Sequence, residues 1–252
     1  MNDEIFLSLV VLCYKSGKPI IPLVESLHRM LSYLNFRWEI ILVGNYDEGV
    51  KDETPQIVKE ISSRLPNIVP VTLPKKGMAG WDLRTGLNLA RGKYIGFIDG
   101  DEQIPLESIV TCILKIDADR LDLIKTYRVS RGDGFYRRAI SIIYNKLFRI
   151  LFRVNTRDIN SNPKIFLKSK YLLLDLKSDD WFIDAEIMLR ANELGLKIGE
   201  IPMHFYALTN RSSFVKVGTL YEFLKNMFNY RFKRLSPRPS CSQVLDKTGN
   251  GN

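Results

Sequence analysis

Residues 94–105 read YIGFIDGDEQIP: an apolar run, then two carboxylates and an amide at alternate positions, then proline. Five of the six residues from Tyr94 to Asp99 suit a β-strand, and Asp99, Asp101 and Gln103 follow at i, i+2 and i+4. Extended backbone would turn those three side chains to one face. Clustered oxygen donors at a strand end suit a hard divalent cation, Mg2+ or Mn2+, which keeps some waters and takes substrate phosphate oxygens in its other positions. Gly100, lacking a side chain, leaves room for a substrate close to the backbone. A turn after a strand explains an Asp-x-Asp pair equally well, so the reading rests on what surrounds it.

Upstream, residues 5–13, 38–43 and 68–73 are continuous apolar runs of the kind shown by strands buried on both faces. Between them, helical spacing covers 19–34, 53–65 and 78–90, the first with proline near its start and the last closed by Gly92. Four strand-helix units in about 110 residues imply a parallel, doubly wound sheet, whose ligands sit beyond the carboxyl ends of the strands. The stretch from Asp99 to Gln103 lies at such an end.

Downstream the pattern is less regular. It predicts a helix over 105–116, strands over 122–129 and 163–168, a helix over 182–194 ended by Gly195, and a strand over 197–203. Residues 135–153 form an amphipathic helix, with Tyr136, Ile140, Ile143, Leu147 and Leu151 on one face and Arg138, Asn145, Arg149 and Arg153 on the other. A second amphipathic helix, aromatic and basic, covers 220–235, and the Ser/Pro/Gly-containing stretch after Ser236 reads as a disordered tail.

Composition bounds the classes. The chain has 252 residues, 45% hydrophobic and 26% charged, enough for a sizeable core and ordinary for a globular protein. It shows no secretory leader and no apolar run near the roughly 20 residues needed to cross a bilayer. Cys13, Cys112 and Cys241 are too few and too scattered for a disulfide framework, which suits a reducing, cytoplasmic setting. The net charge is +9, and residues 125–170 alone hold twelve Lys/Arg against two Asp/Glu. Such a field points to phosphate, nucleic acid or an acidic membrane, although a solvated basic face would look the same. Against nucleic acid, the basic residues are interleaved with an apolar face and no nucleic-acid motif is present.

The stretch GLNLARGKYIGFIDGDEQIP, residues 86–105, resembles the central segment of the family 2 inverting glycosyltransferases of the glycosyltransferase A fold. The resemblance is closest to polyprenyl-phosphate sugar transferases of the dolichyl-phosphate mannose synthase type, whose motif is Asp-x-Asp-x-Gln followed by proline. It covers roughly residues 5–215, with Arg84, Gly86, Leu87, Ala90 and Gly92 matching the spacing ahead of the motif. DINSNPKIF adds Asp158 and Lys164, and FIDAEIMLRANELGLKIGEIPMHF adds Asp184, Glu186, Glu200 and Pro202. Arg128 and Arg131 fall at the basic positions after the fifth strand, and Arg211 opens RSS. The first two loops depart from the pattern: VLCYKSG keeps only Tyr14, and VGNYDEGVKDET has Gly44 and Asn45 where the family carries paired acids. Those acids normally help hold base and ribose, so the base is left open.

The resemblance implies an α/β, Rossmann-like, mostly parallel sheet flanked by helices. It implies one domain over residues 1–235, with a nucleotide-sugar half (1–103), an acceptor half (104–215) and a membrane-facing helix (216–235), then a tail (236–252). A GDP- or UDP-hexose, mannose or glucose, would contact Tyr14, Asn45, Lys76, Gly77, Arg84, Asp99, Gly100 and Asp101. The metal would sit on Asp99, Asp101 and Gln103. Arg128, Arg131 and Arg211, with Lys164 as a point charge, would bind phosphate, and Asp101, Asp184 and the three arginines would act in catalysis. A polyprenyl phosphate acceptor is already largely ionised near neutral pH, so no strong protein base is needed. That suits a chain with only two histidines, His28 and His204. The implied setting is the cytoplasmic face of a membrane, reached through the basic amphipathic helices or a membrane-protein partner. A saccharide hydroxyl acceptor is the alternative, and there Asp184 or Glu186 would have to serve as base.

Overall fold

The apolar runs become the strands of one seven-stranded sheet. The computed structural model describes residues 4–131 and 135–206 together with Lys225, Met227 and Tyr230; of residues 130, 131 and 135–140 it describes the backbone alone. The strands are β1 (Leu7–Leu12), β2 (Trp38–Val43), β3 (Ile68–Val71), β4 (Tyr94–Asp99), β5 (Leu123–Arg131), β6 (Lys164–Leu167) and β7 (Ile198–Phe205). Their order is β3-β2-β1-β4-β6-β5-β7. Neighbours among β1 to β4 pair in parallel, β6 is antiparallel to both β4 and β5, and β7 is parallel to β5.

Alternation along the strands divides the core in two. Leu7, Leu9 and Val11 face one side with α1 (Ile20–Ser32), α2 (Thr54–Arg64) and α4 (Leu106–Ala118). Val10, Ile41 and Phe97 face the other, against α3 (Ala79–Leu89), α5 (Phe135–Phe152), α6 (Lys168–Leu174) and α7 (Ile183–Glu193). From β1 the chain crosses through α1 to β2 on one side, and after β3 it returns through α3 to β4 on the other. The carboxyl ends of β1 and β4 therefore flank the switch point where ligands of doubly wound sheets bind.

At the opposite end of the sheet the chain is fastened by a buried carboxylate. Glu39 accepts hydrogen bonds from the Ser8 hydroxyl (2.6 Å) and the Arg91 amide (2.9 Å), and Arg91 grips its other oxygen with Nε (3.0 Å) and a terminal nitrogen (2.6 Å). Gly92 belongs to this junction. It does not close α3 with left-handed backbone, as its position in the sequence suggests; α3 ends at Leu89, and Gly92 is absent from the positive-φ residues. A Cβ there would stand 2.7 Å from the Ser8 nitrogen and 2.8 Å from the Tyr94 carbonyl oxygen, so close backbone approach is what requires the glycine. Gly195, with φ 62°, is the left-handed helix stop that was expected.

Three other expectations change. β6 runs directly into α6 with no glycine or proline between them, and that seven-residue helix was not foreseen. In α5 the buried face is Tyr144, Asn145 and Phe148, while Ile142, Ile143, Leu147 and Ile150 are exposed. The helix carries apolar residues on two sides, and of the stripe expected to face either the sheet or a membrane, Ile143 and Leu147 are left outside. Asn145, expected on the polar side, is buried because its amide works: Nδ2 donates to the Ser141 carbonyl (2.9 Å) and Oδ1 accepts from the Ile159 amide (2.9 Å). The helix expected over 220–235 lies mostly outside the described residues. Met227 is fully buried within the second core, and the Tyr230 ring packs on Phe152 (6.2 Å) and Phe182 (5.7 Å), so these two face the protein instead of a membrane. Residues 236–252 lie outside the described residues.

Candidate active site

The carboxyl ends of β1 to β4 bring together most of the residues singled out in the first hundred. The loops after β2 and β3 run side by side, bridged at Tyr46 and Pro74, with the Lys75 amide donating to the Tyr46 carbonyl (2.8 Å). This sets Asn45, Asp47 and Lys75 against Tyr14 from β1. The Tyr14 hydroxyl donates to Asp47 (2.6 Å), and the Lys75 ammonium lies 4.1 Å from the centre of the Tyr14 ring. Asn45 is fully buried; its Nδ2 donates to Asp82 (2.9 Å) and Thr85 (3.2 Å), and its Oδ1 accepts from the Leu73 amide (2.8 Å). Asp82 in turn pairs with Lys75.

Lys75, Asp82 and Asp47 were not anticipated. Lys75 is the neighbour of the expected Lys76, which is exposed, and the acid in the first turn of α3 was the available signal for Asp82.

Arg84 and Gly77 meet the chain itself. Arg84 donates to the Leu176 carbonyl (3.1 Å) and to Asp179 (2.5 Å), holding the loop between α6 and α7. That loop covers the start of α3: the Asp179 carbonyl accepts from the Met78 (2.7 Å) and Trp81 (3.2 Å) amides, and the Asp180 carbonyl from Gly80 (3.1 Å). A Cβ on Gly77 would lie 2.7 Å from Trp81 and 2.9 Å from Asp179. The loop is held from beneath by Glu186, which accepts from the Lys177 and Ser178 amides at 2.8 to 3.1 Å. Glu186 is thus a structural acceptor. Gly100 likewise makes room for the protein's own backbone: its amide donates to Leu12 (3.0 Å), and a Cβ would stand 2.7 Å from that carbonyl oxygen.

The motif itself departs from the extended geometry that its spacing suggests. β4 ends at Asp99, and Glu102 takes a left-handed φ of 58°. Asp101 accepts from the Gln103 amide (3.3 Å) in a local turn. Gln103 is buried, its Nε2 donates to the Tyr206 carbonyl (2.8 Å), and its own carbonyl accepts from the Tyr206 amide (3.0 Å). Gln103 thereby ties the motif to the end of β7, a positioning contact that period-two spacing did not indicate. Among the described residues no group of three or more His, Cys, Asp or Glu side chains could hold a metal ion. The carboxylates here are two, Asp99 and Asp101. Burial, with the Asp101 and Asp184 charges nearby, pushes the Asp99 carboxyl up to about 6. Two crowded carboxylates, one of them desolvated, make a donor set that fits a hard divalent cation whose remaining positions go to water and phosphate.

Three residues of the basic segment, Lys125, Arg128 and Lys164, turn inward. Lys164 is fully buried; its ammonium donates to the Ser161 carbonyl and to Asn162 Oδ1 (both 3.1 Å) and pairs with Asp184. Asn162 Nδ2 donates to Asp99 (3.1 Å), so a continuous chain of contacts joins Asp184 to Asp99. Arg128 forks onto Asp158 through Nε (2.6 Å) and a terminal nitrogen (2.7 Å). Burial would raise the Asp158 carboxyl, but the Arg128 guanidinium outweighs it and holds the group far below the usual carboxylate range. Lys125, also fully buried, reaches the Thr126 (2.7 Å) and Asp158 carbonyls and Glu200 (3.4 Å), and burial pushes it down to about 8. Arg128 and Lys164, expected to clamp phosphate, therefore already have carboxylate partners. Of Arg131 only the backbone is described, opposite Phe205 in β7, and Arg211 lies outside the described residues. His28 sits on α1 with its Nε2 3.2 Å from the Pro66 carbonyl oxygen, and His204 is exposed on β7.

The sequence profile of glycosyl transferase family 2 matches residues 8–173. Among curated proteins, the chain is 25% identical over 223 residues to a dolichyl-phosphate beta-glucosyltransferase of Trichomonas vaginalis, covering 80% of this chain and 66% of that protein. It is 28% identical over 165 residues to a dodecaprenyl-phosphate galacturonate synthase of Rhizobium johnstonii, covering 65% and 48%. A dolichyl-phosphate beta-glucosyltransferase of Saccharomyces cerevisiae is 26% identical over 231 residues, with 81% and 68% covered. Among solved structures, glucosyl-3-phosphoglycerate synthase from Mycobacterium tuberculosis, crystallised with Mn2+ and uridine diphosphate, superposes with a TM-score of 0.69 at 16% identity, over 94% of this chain and 81% of that one. The chain spans about half to two thirds of the length of the curated relatives it matches.

Proposed function

The chain belongs to glycosyl transferase family 2, and on that footing we propose that it moves a hexose from a nucleoside-diphosphate sugar to a polyprenyl phosphate, with inversion. The observation that carries this reading is the Asp99–Asp101 pair at the carboxyl end of β4, beside the switch point of the sheet. The relatives named for transfer to dolichyl or dodecaprenyl phosphate support the acceptor class. The structural neighbour crystallised with Mn2+ and uridine diphosphate supports a divalent ion and a nucleotide.

In this mechanism the nucleotide lies on the Tyr14, Asn45 and Lys75 side of the crevice and the diphosphate reaches the Asp99–Asp101 pair. Those two carboxylates would hold Mg2+ or Mn2+, which when bound neutralises charge on the diphosphate leaving group. Arg131 and Arg211 are the proposed phosphate contacts on the acceptor side. An ionised oxygen of the acceptor phosphate attacks the anomeric carbon opposite the diphosphate. The new carbon–oxygen bond forms as the bond to the diphosphate breaks, and the electron pair leaves with the nucleoside diphosphate. No proton has to be removed from such a nucleophile. The carboxylates that a hydroxyl acceptor would need as base are otherwise occupied, Asp184 by Lys164 and Glu186 by two backbone amides.

Access to a lipid acceptor fits the outer side of α5. Ile142, Ile143 and Ile150 are more than half exposed there, and Lys146 and Arg149 are exposed beside them. Basic, apolar helices lie in the interface of anionic membranes. Among the described residues no helix is long and apolar enough to cross a membrane.

Replacing Asp101 by alanine tests the site. Asp101→Ala should keep its melting temperature and lose metal-stimulated transfer by at least about a hundredfold, the loss expected of an electrostatic contact to the leaving group. Full activity in that variant would remove the carboxylate pair from the reaction.

A further inference from the structure

We propose that Asn162 is a positioning residue for Asp99, held in a single orientation by Lys164. The inference rests on the reading of Asp99 as a metal-binding carboxylate. It starts from register: β4 and β6 are antiparallel with Phe97 opposite Lys164, so two residues further on Asp99 comes opposite Asn162. The side chains meet there, Asn162 Nδ2 donating to Asp99 Oδ2 at 3.1 Å, and Asn162 is 6% exposed.

An asparagine amide offers an oxygen on one side and an NH2 on the other, and it can be turned either way unless its partners decide. Here they do. The Lys164 ammonium can only donate, and it lies 3.1 Å from Asn162 Oδ1. The ammonium is itself immobilised, fully buried between the Ser161 carbonyl and the Asp184 carboxylate. With its oxygen fixed on Lys164, Asn162 must turn its NH2 to Asp99. One Asp99 oxygen is thereby held by a neutral donor, and the carboxylate plane is fixed with the other oxygen left for an ion. Partners that hold a ligand in this manner typically change metal affinity by about 10- to 100-fold when removed.

Two substitutions separate this role from space filling. Asn162→Asp keeps the shape and an oxygen for Lys164 but replaces the donor facing Asp99 with a second acceptor. Asn162→Ala removes both. The measurement is titration of each purified protein with Mn2+ alone, followed by the free-ion paramagnetic resonance signal, alongside thermal melts. The expected result is Mn2+ binding weakened at least about tenfold in an Asn162→Asp protein that still unfolds cooperatively, at whatever melting temperature the added buried carboxylate leaves it. Asn162→Ala should show the same loss, and if it does not fold the aspartate variant decides. Wild-type affinity in Asn162→Asp overturns the proposal while leaving the metal reading intact, and tighter binding overturns it in favour of direct ligation. A wild-type protein that binds no Mn2+ overturns the metal reading, and this inference with it.

Discussion

At the scale of single residues, the buried carboxylates that arginines hold carry a measurable consequence. Asp158 is held by both guanidinium nitrogens of Arg128, and its carboxyl is strongly depressed. Glu39 is shifted down as well: burial opposes the shift, and Arg91 and Ser8 overcome it. A carboxyl whose folded pKa lies below its unfolded value near 4 adds stability that is complete above about pH 5 and is lost as pH falls towards the folded pKa. Acid should therefore destabilise the protein. Asp158→Asn should cost about 3–5 kcal/mol at pH 7, because it removes the carboxylate onto which the buried guanidinium forks. The gap to wild type should narrow on acidification. Urea denaturation at pH 7 and pH 3 checks this, and a gap of equal size at both values would contradict the assignment of the pair.

Residue chemistry was legible in part. Asp99 and Asp101 could be found because an apolar strand ending in two acids is a local pattern, and the register of β4 against β1 delivers them to the edge of the sheet. Arg128, Lys164 and Arg84 were found as charges, but their partners Asp158, Asp184 and Asp179 are distant in sequence, so charge alone could not tell a ligand contact from an internal pair. Asn162 carried no local signal. Its role appears only once β6 is laid against β4.

At the scale of elements, boundaries followed the apolar runs closely, since β2 and β4 occupy the expected residues and the other expected strands differ by a few at their ends. The face of a helix was harder. In α5 both sides are apolar, and the buried side is set by what lies beneath it, Phe148 being fully buried while Ile150, two residues later, is 65% exposed. Phe148→Ala should lower stability by roughly 3–5 kcal/mol, the usual cost of deleting a buried aromatic ring. Ile150→Ser should change stability by no more than about 0.5 kcal/mol, as exposed positions do. If the outer face meets a membrane, the same serine variant should also sediment less with vesicles containing anionic lipid. Chemical denaturation and vesicle sedimentation of the two variants check both halves. A large stability loss in Ile150→Ser would mean that this face is covered.

At the scale of the whole molecule, the sheet order makes the site. Parallel strands β1 to β4 open a crevice at their carboxyl ends, and the antiparallel β6 brings the segment from Asp158 to Lys164 alongside the motif. The loop between α6 and α7, fastened by Arg84 and Glu186, covers the start of α3. The topology of the first half could be read from four strand-helix units. The antiparallel insertion could not, because a four-residue strand carries no mark of its direction.

The central claim is transfer to a lipid phosphate, and one assay addresses it most directly. Labelled nucleoside-diphosphate hexoses, UDP-glucose first, are incubated with the protein and a short polyprenyl phosphate, with Mg2+ or Mn2+ and then with chelator, and glycolipid is measured. The predicted result is a hexosyl-phosphate lipid that forms with the metal and is lost on chelation. Transfer only to saccharide hydroxyl acceptors, with none to the lipid phosphate under any metal condition, would contradict the account.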